Sequence, residues 1–243
     1  MACGPMRGIG VRPAPQEVPS ANVENEGMTR RSALVAGIAC LGAVVVLGVL
    51  VVAGPAIVQH LDDAWNLEMG EWRSPALIGF ALVMNGLGGG WIATFVIPLG
   101  LAALLLLVRG WRAAAFALAA FLASAGLVQL VKHAVGRPRP QDLLVSSDFG
   151  SFPSGHAANA ATIAVVLCLL FPHVLSVIGG ALWVTAMAFS RTVLSVHWFS
   201  DVVGGTLAGV GAALLVAAAV WPWLVRGRTG RGVLARASGD LAR

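Results

Sequence analysis

The chain has 243 residues, 58% of them hydrophobic and 11% charged, with a mean hydropathy of +0.83 and a formal net charge of +5. Such a balance excludes an ordinary soluble domain and places the chain among integral membrane proteins. The basic residues stand at the ends of apolar runs and in the tails, not in one patch, which argues against a nucleic-acid partner.

Residues 1–29 are rich in Pro, Gly and polar side chains and read as a disordered cytoplasmic tail. Arg30-Arg31 then precede a first apolar span, Ala33 to about Ala53, closed by Gly54-Pro55. It is too long for a signal-peptide core and lacks a small-residue cleavage pattern. Between His60 and Arg73 four acidic residues alternate with Trp65 and Trp72, as expected of a short interfacial helix.

The apolar stretch from Ser74 to Val108 exceeds the roughly 20 residues of one span. Asn85-Gly86 and Gly88-Gly89-Gly90 divide it into a short surface or re-entrant helix to about Leu87 and a second span from about Trp91 to Val108. Arg109 and Arg112 bracket a turn before a third span, Ala113 to Val131, which ends at Lys132. A polar loop follows, and spans four to six cover about Ser154–Phe171, Val174–Phe189 and Val202–Trp221. From Arg226 the chain reads as a basic, disordered cytoplasmic tail. The prediction is therefore an all-α, six-helix transmembrane bundle over residues 30–225, with a short interfacial helix between spans one and two.

Six spans put Arg30, Arg31, Arg109, Arg112, Arg226, Arg228 and Arg231 on one side, which the positive-inside rule makes cytoplasmic. Lys132, Arg137, Arg139, His156, Arg191, His197 and Asp201 fall on the other. An even span count leaves both termini inside. Cys3, Cys40 and Cys168 form no CxxC or Cys/His group, so neither a disulfide framework nor a zinc site is expected.

The chemistry-bearing residues lie at span borders. Lys132, Arg139 and Arg191 are three cations suited to a phosphate dianion, arginine offering a planar fork and lysine a point charge. Pro153-Ser154-Gly155-His156 opens span four, where free backbone N–H groups and the helix dipole favour an anion. Ser154 is either a phosphate donor or a plain N-cap. His197 and Asp201 stand four apart, which puts both on one helical face. A carboxylate on one ring nitrogen leaves a lone pair on the other, so His197 is a candidate nucleophile and His156 a candidate acid.

Read together, Lys132 followed after six residues by Arg139-Pro140, then Pro153-Ser154-Gly155-His156, then Ser190-Arg191 with His197 and Asp201, resemble the type 2 phosphatidic acid phosphatase (PAP2) superfamily, which includes vanadium-dependent haloperoxidases. All three motifs are complete and in order. The resemblance implies a PAP2/haloperoxidase-like core and a membrane lipid phosphatase with no metal or other cofactor, acting on a lipid phosphate at the outer face of the cell membrane. It implies that His197 forms a phosphohistidine, that Asp201 orients it and that His156 protonates the leaving group. Lys132, Arg139, Ser154, Gly155 and Arg191 would then hold the phosphoryl oxygens. Polyprenyl diphosphate, phosphatidate and phosphatidylglycerophosphate are the substrates considered. Lipid phosphotransfer through the same intermediate and a non-catalytic transporter or scaffold are the alternatives.

Outside these motifs, Arg137 is read as a surface charge or a second phosphate contact, and Asp142 and Asp148 as solvated turn residues. His133, His60 and His173 are read as structural or interfacial. The acidic segment with its tryptophans is considered as an entry for a lipid head group. Gly204, Gly205 and Gly209 are expected to form a packing face of span six.

Overall fold

The computed structural model describes residues 28–240 apart from residue 55, with side chains described through residue 224. Residues 1–27 of the predicted N-terminal tail and the side chains of the predicted C-terminal tail lie outside the described residues. All regular structure described is helical: α1 (Arg30–Ala53), α2 (Ala56–Trp72), α3 (Pro75–Gly88), a π-helical turn (Ile92–Val96) running into α4 (Ile97–Arg109), α5 (Trp111–Val135), α6 (Gly155–Leu170), α7 (Val174–Val193) and α8 (Phe199–Asp240). The backbone of α8 remains helical beyond residue 225, where a disordered tail was expected.

Local chemistry sets these boundaries. Thr29 and Ser32 form a capping box at the start of α1, and Gly54 ends it at φ 62°, a left-handed conformation that glycine adopts without a Cβ penalty. Ser74 caps α3, with Pro75 in its first turn. Gly110, at φ 88°, makes the corner between α4 and α5.

Among the described residues five helices are long and apolar enough to cross a membrane: α1, the π turn with α4, α5, α7 and α8 to Leu224. The chain is a multi-pass membrane protein. The fourth predicted span, α6, has only 16 residues, about 24 Å of helix against a hydrocarbon core of about 30 Å. None of its residues is exposed, because α5, α7 and α8 enclose it. It is an inner helix whose first turn, Gly155-His156, lines the cavity described below.

Close approach of backbones builds the core. A Cβ on Gly205 would lie 2.2 Å from the Ser154 carbonyl oxygen, and one on Gly209 would lie 2.1 Å from that of Ala158. The face that the spacing predicts on α8 therefore seats α6 directly, as small residues do where lipid supplies no hydrophobic drive between helices. Phe152, fully buried, enters from the polar loop against Val128, Ala158 and Ala208, over Gly204. Moving such a ring out of water contributes about 1.5–3 kcal/mol and pins the loop just before Ser154.

Two helices, α2 and α3, separate the first two spans. α2 turns one face inward: Asp62 is 1% exposed and lies on it with Trp65, Asn66 and Met69. α3 is the short helix expected before Leu87, exposed along one side and packed along the other. Ala81 and Met84 are buried against the rest of the bundle, and α3 packs along α7.

Candidate active site

The C-terminal ends of α3, α5 and α7 meet the N-terminal ends of α6 and α8 around a cavity of about 510 Å³, lined by Asn85, Gly89, Lys132, Asp148, Gly155, His156, Arg191 and His197 among others. Residues separated by up to 112 positions, from Asn85 to His197, thus share one wall. α5 ends one turn after Lys132, α6 begins with Gly155-His156, and Arg191 lies in the last turn of α7.

His197 sits in the turn between α7 and α8, 4% exposed, with Nδ1 3.4 Å from Asp201 Oδ2. That separation is long for a hydrogen bond, and Nδ1 has no other partner. Both Asp201 oxygens are held: Oδ2 accepts the Trp198 backbone N–H at 2.9 Å, and Oδ1 accepts from Arg137 Nη1 at 2.8 Å. A carboxylate on the Nδ1 side assigns the ring proton there and leaves a lone pair on Nε2. Nε2 faces Arg139 Nη1 at 3.4 Å. Burial pushes the His197 imidazole below its ordinary pKa, with Asp201 opposing and Arg139 and Lys132 assisting. The ring is therefore neutral near pH 7.

The cations are already occupied by an oxyanion. The Asp148 carboxylate accepts from Arg139 Nη2 at 2.7 Å and from Lys132 Nζ at 3.3 Å. Burial alone would raise its pKa; the two cations hold it below the usual carboxylate range instead. Lys132 and Arg139 also donate to the Gly150 carbonyl at 2.9 and 2.8 Å, and Arg139 Nη1 donates to the Val196 carbonyl. Asp148 is solvent-exposed, as expected of a loop residue, but it is ion-paired as well. So is Asp142, which takes Arg73 Nη2 at 2.9 Å and Asn66 Nδ2 at 3.1 Å.

Arg191 is fully buried and oriented by α3: Nη1 donates to Asn85 Oδ1 at 2.7 Å and Nη2 to the Ala81 carbonyl at 3.2 Å. His156 packs on the glycine turn after α3, where a Cβ on Gly88 would lie 2.6 Å from its ring and one on Gly89 2.9 Å from Nε2. That Nε2 is buried and has no hydrogen-bond partner. Ser154 caps α6, accepting the Ala157 N–H at 3.5 Å, while its own N–H donates to the Asp201 carbonyl at 2.9 Å. Its side chain is fully buried, as an N-cap and not as an exposed donor.

Arg137 is not a surface charge. It is 8% exposed and bridges Asp62 to Asp201. Reading the motifs misses Asp62 and Asn85 because neither belongs to one. A helical signal was available for Asp62, which shares a face with Trp65, Asn66 and Met69 at spacings of three, four and seven. Among the described residues no group of three or more His, Cys, Asp or Glu could hold a metal ion.

Comparison with known proteins places these features. The PAP2 superfamily profile matches residues 113–224. A lipid A 1-phosphatase from Rhizobium johnstonii is 33% identical over 103 residues, 37% of this chain and 41% of that protein. A decaprenylphosphoryl-5-phosphoribose phosphatase from Mycolicibacterium smegmatis is 39% identical over 102 residues, 40% of this chain and 53% of that protein. The chain thus spans about half the length of these curated relatives or less. The crystal structure of a transmembrane PAP2-type phosphatidylglycerolphosphate phosphatase from Bacillus subtilis superposes with a TM-score of 0.65 at 26% identity, covering 74% of this chain and 94% of that one. LpxE from Aquifex aeolicus gives 0.56 at 26% identity, covering 63% and 92%. The PAP2 superfamily match takes in α5 from Ala113, α6, α7 and α8 to Leu224, and with them Lys132, His156, Arg191 and His197, and the fold is similar to that of membrane PAP2 phosphatases.

Proposed function

We propose that this protein is a lipid phosphatase that cleaves a phosphate ester through a phosphohistidine on His197. The observation that carries this is the oxyanion already lodged beside the nucleophile: Lys132 and Arg139 share the Asp148 carboxylate next to His197 Nε2. A phosphoryl group entering there displaces Asp148 and takes over its cations, with Arg191 and the N–H groups at the start of α6 as further donors. Nε2 attacks phosphorus in line, the bond from phosphorus to the lipid oxygen breaks, and His156, as the imidazolium that the charge of the bound phosphate stabilises, passes its Nε2 proton to that oxygen and becomes neutral. Asp201 faces the ring as it becomes cationic. Water then attacks the phosphohistidine, His156 takes its proton, and phosphate leaves with His197 restored.

The cation inventory favours a single phosphate over a diphosphate. Arg137, the extra guanidinium a second phosphate would need, is committed to Asp62 and Asp201. Phosphatidate and phosphatidylglycerophosphate are accordingly preferred to polyprenyl diphosphate, and the relatives' lipid substrates support an amphiphile. The site faces the extracytoplasmic side of the cell membrane and both termini face inward. Supporting this, Arg30 bonds the Ala218 carbonyl, Arg109 stacks 4.3 Å over Phe171 and Arg112 bonds the Trp223 carbonyl, a basic cluster at the end of the bundle away from the cavity.

The test is phosphate release by the detergent-solubilised protein from short-chain phosphatidate without added divalent cation. Vanadate, which adopts the five-coordinate geometry of the transferring phosphorus, inhibits it. Full activity in His197→Ala would remove the proposed nucleophile.

A further inference from the structure

Behind His197 lies a buried network that phosphate binding does not use. Arg137 Nη1 donates to Asp201 Oδ1 at 2.8 Å and to Ser200 Oγ at 2.7 Å, while Nη2 donates to Asp62 Oδ2 at 2.7 Å. Asp62 in turn accepts the Ser200 backbone N–H at 2.8 Å on Oδ1 and the Ser200 hydroxyl at 2.6 Å on Oδ2. Asp62 is 1% exposed, Asp201 0%, Ser200 7% and Arg137 8%, so the network is shut away from water. Such a network is costly unless every member is paired, and here each one is.

We propose that Asp62 and Arg137 are positioning residues that act on His197 through Asp201. Arg137 takes Oδ1 and so turns Oδ2 toward His197 Nδ1; Asp62 holds Arg137 in place from α2. The two carboxylates and one guanidinium leave one net negative charge. This is the charge needed opposite a phosphohistidine whose ring keeps its Nδ1 proton and is cationic. Arg137 alone would neutralise Asp201 and leave that cation without compensation. Asp62 restores the balance from a helix that the PAP2 profile match does not include. The inference rests on the phosphatase reading above.

A plainer role is available, since Asp62 also caps the first turn of α8 through Ser200. The pH profile separates the two. His197 is faced by Asp201 on α8, Arg139 and Asp148 from the loop, Lys132 on α5 and His156 on α6. Of these only Asp201 touches Arg137, and a charge change at Asp62 reaches the ring along that route.

The experiment measures kcat/KM against pH for phosphate release from short-chain phosphatidate in mixed micelles, for the wild type, Asp62→Asn and the double variant Asp62→Asn/Arg137→Gln. Removing the Asp62 charge disfavours the protonated ring, so the acid limb moves down by about half a pH unit to one unit, with kcat about tenfold lower. The double variant restores the net charge of the network and returns the limb to the wild-type position. A limb that stays in place in Asp62→Asn while thermal stability falls leaves only a helix cap and overturns the proposal. If Asp62→Asn does not fold, the double variant decides, and a displaced limb overturns the proposal. Should the wild type release no phosphate, the phosphatase reading fails on its own. The imidazole titration of His197, followed by ¹⁵N NMR in the wild type and the same variants, then judges the network by the same signs.

Discussion

Replacing Gly205 by alanine tests whether the seat of α6 on α8 positions the catalytic end. The added Cβ would lie 2.2 Å from the Ser154 carbonyl oxygen and 3.0 Å from its nitrogen and carbonyl carbon, all backbone atoms that cannot rotate aside. Reaching even 3.0 Å from that oxygen opens the contact by about 0.8 Å. Overpacking of this kind costs about 1–3 kcal/mol of stability, and a shift near 1 Å at a reacting group costs about 100-fold in rate. The displaced atoms belong to the cap of α6, two residues before His156, and bond the Asp201 carbonyl through Ser154 N. Both imidazole partners of the site are therefore disturbed together. The assay pairs kcat/KM for phosphate release with thermal melting in detergent, using Gly126→Ala, where nothing lies within 4 Å of the new Cβ, as the reference. We expect kcat/KM to fall by about two orders of magnitude in Gly205→Ala while Gly126→Ala stays at the wild-type level. A Gly205→Ala enzyme within twofold of wild type, with an unchanged melting temperature, would refute the argument from close approach.

Asp148→Asn removes the carboxylate that competes for Lys132 and Arg139. Because exposed ion pairs contribute roughly 0.2–1 kcal/mol each, the inhibition constants of vanadate and inorganic phosphate should fall about threefold to tenfold. Weaker inhibition would mean that Asp148 organises the cations and does not occupy their site. Asn85→Ala strips the Arg191 fork of its 2.7 Å acceptor. The loss of a buried hydrogen bond to a charge, about 1.5–3 kcal/mol, predicts a tenfold to hundredfold drop in kcat/KM; wild-type kinetics would exclude α3 from the site. Burial lowers the His197 pKa in the fold, so below about pH 6.5 the unfolded chain takes up a proton that the folded one refuses. His197 thus contributes stability above that pH which is lost as pH falls. Melting temperature against pH should show this loss in the wild type and a shallower one in His197→Gln, and identical slopes would contradict it.

How much was legible in the sequence depended on the range of the interaction involved. Apolar length and the punctuation at Gly54, Gly110 and Gly136 place the spans, because a helix in lipid must satisfy its own backbone hydrogen bonds over a distance set by the bilayer. The Gly205/Gly209 pair is likewise local and readable from helical geometry, whereas His197 stands in the turn before α8, so its four-residue step to Asp201 is not the pairing on one helical face that the spacing predicts. What only the tertiary structure decided is which charges find each other. Asp62 and Arg137 are 75 positions apart, and Asn85 and Arg191 are 106 apart, on helices whose separate sequences carry no mark of the other. Arg137 and Arg139 differ by two residues in one loop, yet one turns inward to Asp62 and Asp201 and the other reaches Asp148 and His197. No periodic pattern governs an irregular loop, and the partners of Arg137, namely Asp62 on α2 and Ser200 and Asp201 on α8, are supplied only by the folded bundle. α6 likewise has the composition of a membrane span but the length and surroundings of an inner helix, a distinction made by its neighbours and not by its residues.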